Sequence, residues 1–251
     1  MMISQLPVAG NRTLVNFPIN YYALGIFAIA MGALEAIVVV YLRQVYYPEG
    51  FDFPLTFLSS QMLAIEWIRE VATIVMLVCI GIIAGRNWLQ RLACFLYCFA
   101  IWDIFYYIWL KLLIDWPASF LTWDILFLIP VPWIGPVLAP VISSLTMILM
   151  AGIIINAQHR SETFSIRSLE WSLIFLGALI ILGTFIWDYA RLIIRDGFLS
   201  RFWTLADDQQ FQKIIADFQP THYSWVGFII GELCILGALA WMFRRARPES
   251  Q

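Results

Sequence analysis

An all-α, polytopic integral membrane protein with about six transmembrane helices is the fold class this sequence predicts, and three observations predict it. The 251 residues are 62% hydrophobic and only 13% charged, with a mean hydropathy of +0.81, whereas soluble domains carry about 25% charge. The apolar residues fall in six continuous blocks, each near the 20 or so residues a helix needs to cross a hydrocarbon core of about 30 Å. The blocks lack the short alternating pattern of barrel strands, so helices are left to satisfy the backbone in lipid.

The spans read as 21–47, 61–85, 88–114, 134–156, 169–194 and 223–243. The first is too long for the apolar region of a cleavable signal and carries Glu35 in its middle. The chain therefore divides into an N-terminal tail (1–20), a six-helix domain (21–243) and a short basic C-terminal tail (244–251).

Two connecting segments are more than linkers. Residues 115–140 are apolar and aromatic but broken by Pro117, Pro130, Pro132, Pro136 and Pro140. Proline removes backbone donors and interrupts helices, so the segment predicts a short interfacial or re-entrant helix near 118–129, then irregular chain leading to the fourth span. In 196–222, Phe211, Ile214, Ile215 and Phe218 recur at helical spacing behind Asp207 and Asp208 as caps. That pattern predicts an amphipathic surface helix.

Lys and Arg set the orientation. One side collects Arg12, Arg86, Arg91, Arg160, Arg167, Arg244, Arg245 and Arg247. The opposite loops hold Arg201 and Lys213, with Arg195 at a helix end, among eight acids that include Asp115, Asp124 and Asp208. Both termini are expected to be cytoplasmic, in a cell membrane of the bacterial inner type. Tyr46, Tyr47, Trp116, Trp123, Trp133, Trp203 and Trp225 fit an aromatic belt on the outer side. Gly81–Gly85 and Gly227–Gly231 have the GxxxG spacing of close helix contacts.

Ionisable residues inside the spans carry the functional reading. They are Glu35 and Arg43, Glu66, Arg69 and Glu70, Asp103 and Lys111, Asp188 and Arg191, and Glu232. A charge at helix centre costs roughly 2.5–3.5 kcal/mol on insertion scales, so such groups face the bundle interior and find partners. At about 1.5 Å of rise per residue, all lie within roughly 5–18 Å of the outer ends of their spans. Glu66, Arg69, Glu70 and Thr73 form one helical stripe, and Asp103, Tyr107 and Lys111 another. The expected buried polar network is thus Glu35, Glu66, Arg69, Glu70, Asp103, Tyr107, Lys111, Asp188, Arg191 and Glu232. With Arg43, six acids meet four bases. A dry site cannot hold that negative excess, so it binds a cation or its acids hold protons.

Several classes of function are excluded. The basic residues are dispersed, without a stripe for nucleic acid. Cys79, Cys94, Cys98 and Cys234 lie inside apolar blocks with no CxxC spacing. His159 and His222 fall on opposite faces, so they cannot share a haem or a zinc ion. Walker A, HExxH, GxSxG and GxGxxG are all absent. The Asn11-Arg12-Thr13 sequon lies on the expected cytoplasmic side. No cofactor is predicted, although carboxylates alone leave room for Mg²⁺, Mn²⁺ or Ca²⁺. Besides lipid, the partners this allows are a small cationic or polar ligand and other membrane subunits. Three functions fit: binding or transport of a small cation, amine or proton; an accessory subunit of a larger membrane complex; and an enzyme acting on a lipid-linked substrate through paired carboxylates.

Overall fold

The structure is a computed structural model, and it describes residues 19–54, 56, 58–161, 163–195, 197–198 and 208–246. Arg12 with its sequon, Asp196, Arg201, Trp203, Asp207 and Arg247 fall outside these residues. The elements, in order, are α1 (Tyr21–Tyr46), α2 (Ser60–Ala84), α3 (Trp88–Ile114), β1 (Trp123–Phe127), β2 (Trp133–Pro136), α4 (Leu138–Arg160), α5 (Ser168–Arg195), α6 (Gln209–Ala216) and α7 (Trp225–Ala246). Six of these helices are long and apolar enough to cross a membrane. Their bounds follow the hydrophobic blocks because block length and chain composition set them. Polar residues mark the starts: Asn20, Ser59 and Asn87 accept hydrogen bonds from Ala23 N, Met62 N and Gln90 N.

The bundle has two halves. Helices α1 and α2 both lean on α3 rather than on each other, while α5 and α7 pack as a pair. α4 joins the halves, lying against α3 on one side and α7 on the other. Large apolar side chains such as Ile68, Ile83, Leu179, Val226 and Leu233 remain exposed on the outer helix faces, where lipid contact accounts for them.

Small residues set the closest helix approaches. A Cβ on Gly177 of α5 would lie 2.5 Å from the Gly231 carbonyl oxygen of α7, and one on Gly231 would lie 2.8 Å from the Gly177 oxygen. Of the two GxxxG pairs, Gly231 thus finds its partner in a glycine outside either motif. The other pair, Gly81 and Gly85, lets α2 meet the start of α3: a Cβ on either would press on the Arg91 backbone. Gly177→Ala is expected to destabilise the fold by about 1–3 kcal/mol, the usual cost of overpacking. Gly183→Ala on the same helix, whose Cβ would meet open space, serves as control. Melting temperatures in detergent check the difference.

At the end of the bundle where α4 stops, Arg245 of α7 grips Glu170 of α5 with two hydrogen bonds of 2.9 and 2.6 Å. Glu170 is fully buried, and its Oε2 also accepts from Arg167 N at 2.7 Å. The pair locks the start of α5 to the end of α7.

The segment after α3 corrects the expectation of a helix near 118–129. Residues 123–136 form an antiparallel hairpin, pairing Trp123 with Pro136, Asp124 with Gly135 and Ile125 with Ile134. Pro130 and Pro132 in its loop cannot continue a helix and bring no N–H to satisfy. The ladder pairs backbone groups that lipid could not. The chain leading into the hairpin accepts at the start of α4: Val137 N and Leu138 N donate to Thr122 O and Phe120 O. Because β2 occupies residues that had been read as helix, α4 starts and ends about one turn later than expected.

The amphipathic helix of the next loop forms as expected. Asp208 caps α6, accepting from Gln210 N and Phe211 N. Phe211 and Ile215 are buried and join Val131 and Ile134 of the hairpin segment and Ile193 of α5 in one apolar cluster.

Candidate functional site

Because α1 and α2 lean on α3 and not on each other, a gap opens between them, and the hairpin closes one end of it. The resulting cavity measures about 280 Å³, just below the roughly 300–1,000 Å³ typical of small-molecule sites. Tyr189 of α5 and Phe211 and Ile215 of α6 complete its wall.

The α2 stripe supplies the first group of polar residues. Arg69 bonds to Glu35 of α1 and, through Nε at 2.8 Å and Nη2 at 2.7 Å, to Glu66 one turn earlier. Thr73 donates to Glu35 Oε2 at 3.4 Å. Arg69, with Thr73, therefore ties together two helices that do not pack directly. Glu70, on the same face, accepts from Leu128 N with both oxygens, at 2.8 and 3.1 Å. Trp67 Nε1 donates to Leu128 O at 3.2 Å. One turn of α2 thereby satisfies both backbone groups of a residue in the hairpin loop.

The second group was not anticipated as a pair. Arg43 near the end of α1 donates from Nη2 to Asp124 Oδ1 at 3.1 Å. Its guanidinium lies between the rings of Phe51, at 4.3 Å, and Trp116, at 3.8 Å. Both partners are buried. Burial pushes the Asp124 carboxyl up to about 6, against the pull of Arg43 and of the Tyr107 phenol beside it. Asp124 was read as an outer-loop acid; the hairpin folds it back across 81 positions of sequence. The available signal was the proline-broken aromatic segment itself, which needs buried polar anchors if it sits at depth.

On α3, Asp103 accepts from Ser144 of α4 at 2.8 Å, and Tyr107 is buried one turn on. The cavity thus brings together Glu35, Glu66, Arg69, Glu70, Asp103 and Tyr107 of the expected network, and adds Arg43, Asp124 and Trp102. Four expected members lie elsewhere. Lys111 sits in the last turn of α3, half exposed, pairing with Asp115 Oδ1 at 2.7 Å and donating to the carbonyls of Asp115 and Pro117. It caps a helix C-terminus, where a cation is favoured. Asp188 has Arg191 and His222 as its ionisable neighbours, and Arg191 is exposed; only the adjacent Tyr189 reaches the cavity. Glu232 is buried between α7 and α4, accepting from Ser143 at 3.0 Å and Thr146 at 2.8 Å. The shared depth did not make one network, because α5 and α7 form their own half of the bundle.

Five carboxyl groups (Glu35, Glu66, Glu70, Asp103 and Asp124) face two guanidinium groups (Arg43 and Arg69) in the wall. Arg69 serves Glu35 and Glu66, and Arg43 serves Asp124. Glu70 and Asp103 have neutral donors as their hydrogen-bond partners. Among the described residues, no group of three or more His, Cys, Asp or Glu is arranged to hold a metal ion. The aromatic residues Trp67, Trp102, Tyr106, Tyr107 and Phe127 are among the remaining lining residues. Comparison with protein families, with curated proteins and with solved structures finds no match to this chain.

Proposed function

We propose that this multi-spanning membrane protein binds, as carrier or receptor, a small organic amine in the cavity between α1, α2, α3 and the hairpin. One observation carries the reading: two carboxyls, Glu70 and Asp103, share a buried cavity whose two guanidiniums are already engaged by three other acids. A positive charge is what this wall lacks. The cavity volume suits a molecule rather than a bare ion, and tryptophan and tyrosine residues line it, residue types that can attract organic cations.

The test is thermal stabilisation of the purified full chain by a panel of amines at constant ionic strength. Saturable stabilisation is expected for wild type. Glu70→Gln and Asp103→Asn should each weaken it about tenfold or more, since a charge-assisted hydrogen bond contributes about 1.5–3 kcal/mol. If no amine shifts the melting temperature beyond a matched salt control, the reading fails.

A further inference from the structure

Asp103 and Tyr106 stand three apart on α3, which puts them on one helix face with Cβ atoms about 5–6 Å apart. Long side chains of a helix lean back over the preceding turn, so the Tyr106 phenol leans toward Asp103. Both residues line the cavity, and both are partly exposed. Each holds an oxygen that no protein group takes up among the described residues. Asp103 accepts from the Ser144 hydroxyl through Oδ2 at 2.8 Å, which leaves Oδ1 unused. The Tyr106 ring meets Tyr107 edge to face at 4.9 Å, and its hydroxyl makes no hydrogen bond within the protein. Neither oxygen is sealed by its surroundings, whereas Arg43 Nη1, Trp102 Nε1 and Asp124 Oδ2 are. Glu70, the other acid without a cation, directs both oxygens to Leu128 N. The turn that carries the pair is held in place: a Cβ on Gly32 of α1 would lie 2.9 Å from Trp102 O and 3.2 Å from Tyr106 N. The ionisable neighbours of the Tyr106 phenol are Asp124, Arg43, Arg69 and Asp103, drawn from both ion-paired groups of the wall.

We infer that the ligand is a primary or secondary amine, donating one N–H to Asp103 Oδ1 and meeting the Tyr106 hydroxyl one helical turn on, and that quaternary ammonium compounds are selected against. The inference rests on the amine-binding reading of this cavity. An ionised carboxylate oxygen only accepts, and a phenol oxygen has lone pairs to accept with. Two open acceptors call for two N–H donors. A primary or secondary ammonium has them; a quaternary one has none. A quaternary cation would still be drawn by the negative wall, but it would displace water from both oxygens without replacing those hydrogen bonds, and that loses affinity. Asp103 thus supplies charge for any cation, while Tyr106 discriminates between them.

A matched pair of probes tests this on the full chain in detergent at constant ionic strength. Tert-butylammonium and tetramethylammonium share charge, heavy-atom count and near-spherical shape; the first carries N–H donors and the second carries none. Dissociation constants come from the concentration dependence of thermal stabilisation. Tert-butylammonium is expected to bind wild type about tenfold or more tighter, the effect of a charge-assisted hydrogen bond. Tyr106→Phe keeps the ring and removes the hydroxyl. It should weaken tert-butylammonium about threefold or more, the effect of an ordinary hydrogen bond, and leave tetramethylammonium unchanged. Without ligand, Tyr106→Phe should melt as wild type does. Equal binding of the two cations by wild type, or an undiminished ratio in Tyr106→Phe, would overturn the inference and leave the amine reading intact. A lower melting temperature of the unliganded variant would show that the hydroxyl already serves the fold, and would overturn it as well. No response to either cation beyond a sodium chloride control overturns both the inference and the reading beneath it.

Discussion

Arg43→Ala is expected to lower stability by about 3–5 kcal/mol, because it leaves the buried Asp124 carboxylate without its cation. By the usual scaling for a chain of this size, that is a fall of roughly 6–20 °C in melting temperature. The loss should depend on pH, and its sign follows from the direction of the Asp124 shift. The folded-state value is about 6, above the ordinary 3.8. The folded protein therefore binds this proton more tightly than the unfolded chain does, and ionisation costs stability as pH rises through that window. Removing Arg43 takes away a group that lowers the value, so the penalty grows and its upper limit moves to higher pH. Arg43→Ala should be much closer to wild type at pH 5 than at pH 8. Adding Asp124→Asn should remove most of the difference between the two pH values. A deficit that is the same at both would mean that the lost stability came from packing against Phe51 and Trp116 and not from the charge.

The same pair marks where sequence reasoning stopped. The six spans were legible because a 20-residue apolar block is a property of local composition. The α2 stripe was legible because the 3.6-residue period fixes Glu66, Arg69, Glu70 and Thr73 on one face whatever surrounds them. Depth could also be read, from rise per residue alone. Azimuth could not: which helix faces which depends on glycine contacts such as Gly177 with Gly231, and this placed Glu232 and Asp188 away from the cavity. The α3 stripe held for Asp103 and Tyr107 but failed at Lys111, because the helix ends three residues later and its carbonyls compete for the ammonium. The hairpin was hidden for a different reason. Trp-Asp-Ile-Leu-Phe is too short to show a period, and its partner strand is defined only by the pairing. Asp124 therefore stayed an outer-loop acid until the pairing returned it to Arg43.

Arg69→Ala is expected to remove about 3 kcal/mol, the lower end for a broken buried pair, because the Arg69 side chain is 22% exposed. Three carboxyls on adjoining faces, Glu35, Glu66 and Glu70, would then share a space with no guanidinium of their own. The ion-pair tie between α1 and α2 would go with it, leaving the Thr73–Glu35 hydrogen bond between helices that lack backbone packing. Arg69→Lys should recover only part of the loss: an ammonium is a point charge, whereas the guanidinium fork reaches both Glu35 and Glu66 at once. The variant also separates an architectural ion pair from a binding site. If the cavity takes an amine, deleting Arg69 raises its negative charge, so the same amine should stabilise Arg69→Ala by more degrees than it stabilises wild type. An architectural network with no ligand predicts equal, salt-like responses in the two proteins. A side-by-side melting series with cadaverine and with sodium chloride at matched ionic strength decides between them.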